Sequence, residues 1–122
     1  MSHFTLVPSV GGLTTHVIDT ARGLPASGVP VSLESRNGSG WKVLGNVVTD
    51  GDGRAANLLP AGMNLERGTY RLRFDVARYF QQRGVEAFYP EVNIMFEVRS
   101  PQEHYHVPLL LSPYGYTTYR GS

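Results

Sequence analysis

Cysteine is absent from the 122 residues, which excludes disulfides and thiolate metal sites and leaves packing and association as the sources of stability. An excess of charge of one sign is missing too. Eleven Lys and Arg stand against ten Asp and Glu, a formal net charge of +1, which is too weak a field to capture a polyanion, so no nucleic-acid partner is expected. Charged residues are 17% of the chain and hydrophobic ones 41%, a balance that disfavours disorder. Long apolar runs are also lacking, and Met1 to Val10 carry neither the basic start nor the apolar stretch of a secretory leader. The chain ends Arg120-Gly121-Ser122, without the Ser-Lys-Leu address of peroxisomal proteins. The expectation is a cytoplasmic protein without a membrane partner, built as one domain over residues 12–122 behind an N-terminal extension of residues 1–11.

What the chain does have is fourteen glycines and eight prolines, placed mostly between short apolar runs of period two, the spacing that puts every second side chain on one face of a strand. In Thr69 to Val76, Tyr70, Leu72, Phe74 and Val76 point one way while Thr69, Arg71, Arg73 and Asp75 point the other. Val92, Ile94, Phe96 and Val98 repeat the pattern, as do Val29, Val31 and Leu33. The turn Asn37-Gly38-Ser39-Gly40 joins that third run to Trp41 to Thr49 as a hairpin. Two further strands, His104 to Leu111 and Tyr114 to Tyr119, flank Ser112-Pro113, whereas Leu58 to Arg67 reads as loop. Only Asp75 to Arg83 looks helical, with Gly84 as its stop. Seven to eight short strands, one short helix and no strand-helix-strand alternation predict an all-β sandwich of two antiparallel sheets.

Several polar residues are not explained by a core. In the first strand Leu13, Thr15 and Val17 share the core face, so Thr14, His16 and Ile18 share the other; in the penultimate strand His104 and His106 oppose Tyr105, Val107, Leu109 and Leu111. The commoner role of a lone histidine is a solvated or packed side chain. A His-x-His pair on a strand also suits zinc, but no Cys and no Asp/Glu spacing completes a ligand set, with Glu103 and His16 as the only further candidates. Asp50-Gly51-Asp52-Gly53 is a strong turn that delivers Arg54, either an ordinary surface arginine or a fixed guanidinium for an oxyanion or a heterocycle carbonyl.

Three segments resemble the transthyretin-like 5-hydroxyisourate hydrolases: Leu13 to Gly23, Asp52-Gly53-Arg54, and His104 to Gly115 continued by Tyr119-Arg120-Gly121-Ser122. The terminal Tyr-Arg-Gly-Ser is the most specific, since it separates the hydrolases from transthyretin, the hormone carrier of the same fold. The resemblance implies a transthyretin-like (prealbumin) sandwich, a homotetramer assembled as a dimer of dimers, and a role in urate (purine) degradation. It further implies hydrolysis of the small-molecule substrate 5-hydroxyisourate at the N1–C6 ring amide, giving 2-oxo-4-hydroxy-4-carboxy-5-ureidoimidazoline, with no metal or other cofactor. The catalytic residues so implied are His16, Arg54, His106 and Ser122, and the substrate-binding ones His16, Arg54, Tyr119, Arg120 and Gly121. A histidine-activated water would attack, with either His106 or His16 as the base. A carrier of a small hydrophobic ligand and a structural sandwich module are the rival functions. The convergent proton-transfer groups count against the first, and the absence of linkers or further domains against the second.

Overall fold

The computed structural model describes residues 12–122, and the extension expected at 1–11 lies outside them. The strands are β1 (Leu13–Asp19), β2 (Leu24–Pro25), β3 (Pro30–Asn37), β4 (Gly40–Val48), β5 (Arg54–Ala55), β6 (Gly68–Phe74), β7 (Val92–Val98), β8 (Tyr105–Ser112) and β9 (Gly115–Thr118), with the helix α1 (Val76–Gln81) between β6 and β7. Seven of these strands are four residues or longer, while β2 and β5 are two-residue pairings with β1. One sheet runs β4-β3-β6-β7 and is antiparallel throughout. The other runs β2-β1-β8-β9, with β5 also on β1. Here the structure departs from the expected pair of antiparallel sheets, because β1 and β8 lie parallel, from Leu13 opposite Tyr105 to Asp19 opposite Leu111. Period-two alternation fixes which side chains share a face, not strand direction; a parallel pair needs a long crossover connection, and most of the chain, including the whole of the other sheet, lies between these two strands.

The two inner faces supply the core. Val17, Leu33, Leu72, Phe74, Val92 and Leu109 are fully buried, on the alternate positions that the period-two runs mark. Strand β6 ends at Phe74, two residues before the apolar alternation does, because Asp75 turns the chain: its side chain accepts the Arg78 N–H at 3.1 Å and caps α1. The helix is correspondingly shorter than Asp75 to Arg83. Gly84 stops it at φ +68°, and the guanidinium of Arg83 lies 3.8 Å from the centre of the Tyr79 ring.

Two carboxylates, Asp19 and Glu34, are buried. Asp19, at the end of β1, accepts N–H groups from Ala21 and Arg22 and the Tyr79 hydroxyl at 2.8 Å, fastening the sheet of β1 to α1. A register shift in β3 between Leu33 and Glu34 leaves both residues buried. Glu34 is held by Arg71 at 2.7 Å and Arg73 at 3.2 Å, and Arg71 in turn lies over the Trp41 ring. Among the described residues no helix is long and apolar enough to cross a membrane.

Candidate active site

The site is assembled on the face of β1 that looks away from the core. Its first component is the Asp50–Gly53 turn. The Asp50 carboxylate accepts the N–H groups of Asp52 and Arg54, and Gly53 takes φ +75°. A side chain at Gly53 would collide with the Val17 carbonyl, the group that the turn must approach for Val17 N–H to reach Gly53 O at 2.7 Å. The bond from the Arg54 N–H also holds the Asp50 carboxyl below its ordinary pKa. So built, the turn sets Arg54 directly opposite His16.

The second component is the parallel pairing of β1 with β8, which puts Thr14 opposite His106 and His16 opposite Pro108. Opposed residues on paired strands share a face, so His16 and His106 are diagonal neighbours on it. The third is the chain beyond β9: Gly121 bridges to His106, its N–H donating to the His106 carbonyl at 2.8 Å. A Cβ on Gly121 would stand 2.6 Å from Cδ2 of the His106 ring, so only glycine lets the terminal run lie against that imidazole.

Between these parts lies a cleft of ≈ 340 Å³, bordered by Arg54, Thr14, His104, His106 and Ser122, with Ala55 and Ala56 beside Arg54. That is the lower end of the size range of small-molecule sites. A larger hollow of ≈ 560 Å³ over the other sheet contains Glu34, Arg73 and Glu91, but these charges are already paired with one another and no imidazole lines it, which leaves the chemistry to the smaller cleft.

Each imidazole has a definite setting. Nε2 of His16 is 2.9 Å from the Asp52 carbonyl oxygen; a carbonyl only accepts, so Nε2 carries the proton and the neutral ring keeps its lone pair on Nδ1. Nδ1 of His106 is 2.8 Å from Thr14 Oγ1, leaving Nε2 for water or ligand. Half-burial, first of all, pushes the His106 pKa below its ordinary 6.5, and the charges of His16, Arg54 and His104 add to that depression against an opposing bond to Thr14. His106 is therefore neutral, and able to accept a proton, further into the acid range than a free imidazole.

Arg54, His106 and Ser122 border the cleft, while His16, opposite Arg54, and Gly121, paired with His106, adjoin those residues without bordering it. Tyr119 and Arg120 do not enter the cleft. Arg120 lies over the Tyr105 ring at 4.5 Å and pairs with Glu103 at 2.8 Å, and both residues border a different depression, one with Ile94 and Phe96. Successive residues of an extended strand face opposite ways, so Gly121 on the imidazole sends Arg120 to the other side. Two residues of the cleft, Thr14 and His104, were given no part in the hydrolysis from sequence. The signal existed, since both share the polar face with His16 and His106. Among the described residues, no group of three or more His, Asp or Glu side chains is arranged to hold a metal ion.

The geometry can be set beside known proteins. Residues 13–121 match the model of the HIUase/Transthyretin family. The 5-hydroxyisourate hydrolase of Mus musculus is 47% identical over 112 residues, covering 90% of this chain and 94% of that protein. Among solved structures, the 5-hydroxyisourate hydrolase of Klebsiella pneumoniae superposes with a TM-score of 0.79 at 38% identity, covering 92% of this chain and 94% of that one. Sea bream transthyretin in complex with thyroxine superposes at 0.84 with 29% identity, covering 90% and 94%. Fold, chain length and the match over nearly all described residues agree: this chain belongs to the HIUase/Transthyretin family.

Proposed function

We propose that this protein is an enzyme that hydrolyses 5-hydroxyisourate at the N1–C6 ring amide to 2-oxo-4-hydroxy-4-carboxy-5-ureidoimidazoline, a step of urate degradation. The observation that carries the proposal is a half-buried imidazole of lowered pKa facing a guanidinium across one small cleft, in a chain 47% identical to a hydrolase of that name. Opening a cyclic amide requires a base for water, a positive group for the developing oxyanion and a proton for the leaving nitrogen. Neutral His106 takes the proton from water through Nε2 and returns it to the ring nitrogen. Arg54, always charged, holds the carbonyl oxygen as negative charge builds on it. His16 offers an acceptor at Nδ1 to a substrate N–H or hydroxyl. Ser122 closes the end of the cleft, and Arg120, fixed between Glu103 and the Tyr105 ring, anchors the terminal run so that Gly121 and Ser122 reach it. No cofactor is needed for this sequence of proton transfers.

The working form is a cytoplasmic homotetramer in this proposal. The edge position of β7 and β9 and the exposed rings of Phe88, Tyr114, Tyr116 and Tyr119 support association. The test is to generate 5-hydroxyisourate freshly from urate with a uricase and follow its ultraviolet decay. Acceleration by the protein is the expected result. Saturable binding of hydroxyisourate or of thyroxine with no acceleration would favour a carrier, the function that the likeness to thyroxine-bound transthyretin would suggest.

A further inference from the structure

Thr14 has a bonding arrangement that the hydrolytic reading does not use. Its Oγ1 lies 2.8 Å from His106 Nδ1 and 3.2 Å from His104 Nε2, because the parallel register puts Thr14 opposite His106 and the two histidines share one face of the chain. A hydroxyl has one proton to give. With that proton kept between two neutral rings, both bonds are completed in either of two complementary ways. In one, His104 Nε2–H donates to Oγ1 and the hydroxyl donates to His106 Nδ1, so the His106 proton sits on Nε2. In the other, His106 Nδ1–H donates to Oγ1 and the hydroxyl donates to His104 Nε2, so His106 presents a lone pair at Nε2. Only the second leaves His106 able to take a proton from water in the cleft. An imidazolium at His104 has no lone pair to accept, so of these two it permits only the first.

We propose that Thr14 is a positioning residue whose hydroxyl couples the tautomer of His106 to the protonation of His104, making the exposed His104 a proton-operated control of the base. The inference rests on the reading of His106 as the group that activates water. The charged and titratable groups facing His106 are His16 from β1, Arg54 from β5, His104 from its own side of the sheet and Ser122 from the terminal run; His104 is neighboured by Arg120, which bonds its carbonyl, and by the Glu103 paired to that arginine. Thr14 provides a hydroxyl bonded to both rings.

The test uses the whole chain labelled with ¹⁵N at histidine, in wild type, Thr14→Val and Thr14→Ser. In wild type the His106 nitrogen shifts should change tautomer pattern as the pH crosses the titration of His104, from protonated Nε2 on the acid side to protonated Nδ1 on the alkaline side. Thr14→Val should abolish that second inflection and Thr14→Ser should keep it. With hydroxyisourate, Thr14→Val should lower kcat about tenfold with KM little changed, the size of one lost orienting bond, and flatten the His104-dependent part of the pH profile. Thr14→Ser should recover most of the loss. Identical His106 shifts in wild type and Thr14→Val overturn the coupling. Should Thr14→Val fail to fold, His104→Leu at its exposed position removes the other end of the relay; persistence of the second inflection in that variant overturns the coupling equally. The nitrogen shifts need no substrate, so absence of hydrolysis by wild type defeats the functional reading while the relay is still decided.

Discussion

At the scale of single residues, the site depends on the environment of one imidazole. His106 is kept neutral by half-burial and by the charges of His16, Arg54 and His104, so removing a charge should release part of the depression. Arg54→Ala is expected to raise the His106 pKa towards 6.5, read by NMR titration, and to move the acid limb of any remaining activity to higher pH; an unchanged or lower value would contradict the proximity of the two groups. The sign for stability follows from linkage. The folded value lies below the unfolded one, so the contribution of this group is fully present above pH 6.5 and is lost as pH falls through the folded value, where the folded chain too takes up the proton. Gly121 gives a second expectation. A methyl group there meets the His106 ring at 2.6 Å, whereas at Gly115 it meets only Ser112 Oγ at 3.7 Å. Gly121→Ala should cost turnover about tenfold or more, while Gly115→Ala should change it little; equal rates in the two variants would show that the ring does not need that glycine. The shared polar face of Thr14 and His16, that of His104 and His106, and the turn that delivers Arg54 were legible from the sequence. That Tyr119 and Arg120 leave the cleft for the depression beside Ile94 and Phe96 was not, because it follows from the course of the terminal run along β8, which no local pattern fixes.

At the scale of elements, alternation located the strands and the faces well, since each apolar run packs on a core that demands period two. It was silent on partners. The parallel β1–β8 pair is a contact between the two ends of the chain, and it alone makes Thr14 a neighbour of His106. Short polar fastenings were equally hidden: Asp75 reads as the last outward residue of a strand until its carboxylate is seen to cap α1, and Asp19 as one more core-facing position until Tyr79 is found on it. Asp19 is 1% exposed, bonded to two backbone N–H groups and to the Tyr79 hydroxyl. Asp19→Ala should destabilise the fold by about 2–3 kcal/mol by leaving those donors buried without an acceptor, measured by chemical denaturation. A loss below about 0.5 kcal/mol, the usual range of surface changes, would show that this fastening contributes nothing.

At the scale of the whole molecule, the sandwich leaves β7 and β9 with unpaired edges and a row of exposed aromatic rings near them, Tyr114 at 67% and Phe88 at 67% exposure among them. Open edges of this kind invite pairing with another copy. Light scattering should give a mass about four times the 13.4 kDa chain; a monomer at micromolar concentration would remove the assembly but not the cleft, whose groups come from one chain. The central claim concerns that cleft, and one measurement bears on it most directly: kcat/KM for freshly generated 5-hydroxyisourate, after exhaustive chelation, for wild type and His106→Asn in parallel with their melting temperatures. The expected result is rapid hydrolysis by wild type and a fall on the order of 100-fold in the variant, ~2.7 kcal/mol of transition-state stabilisation, at similar melting temperatures. Equal rates for the two proteins, or wild-type activity that disappears on chelation and returns with zinc, would contradict it.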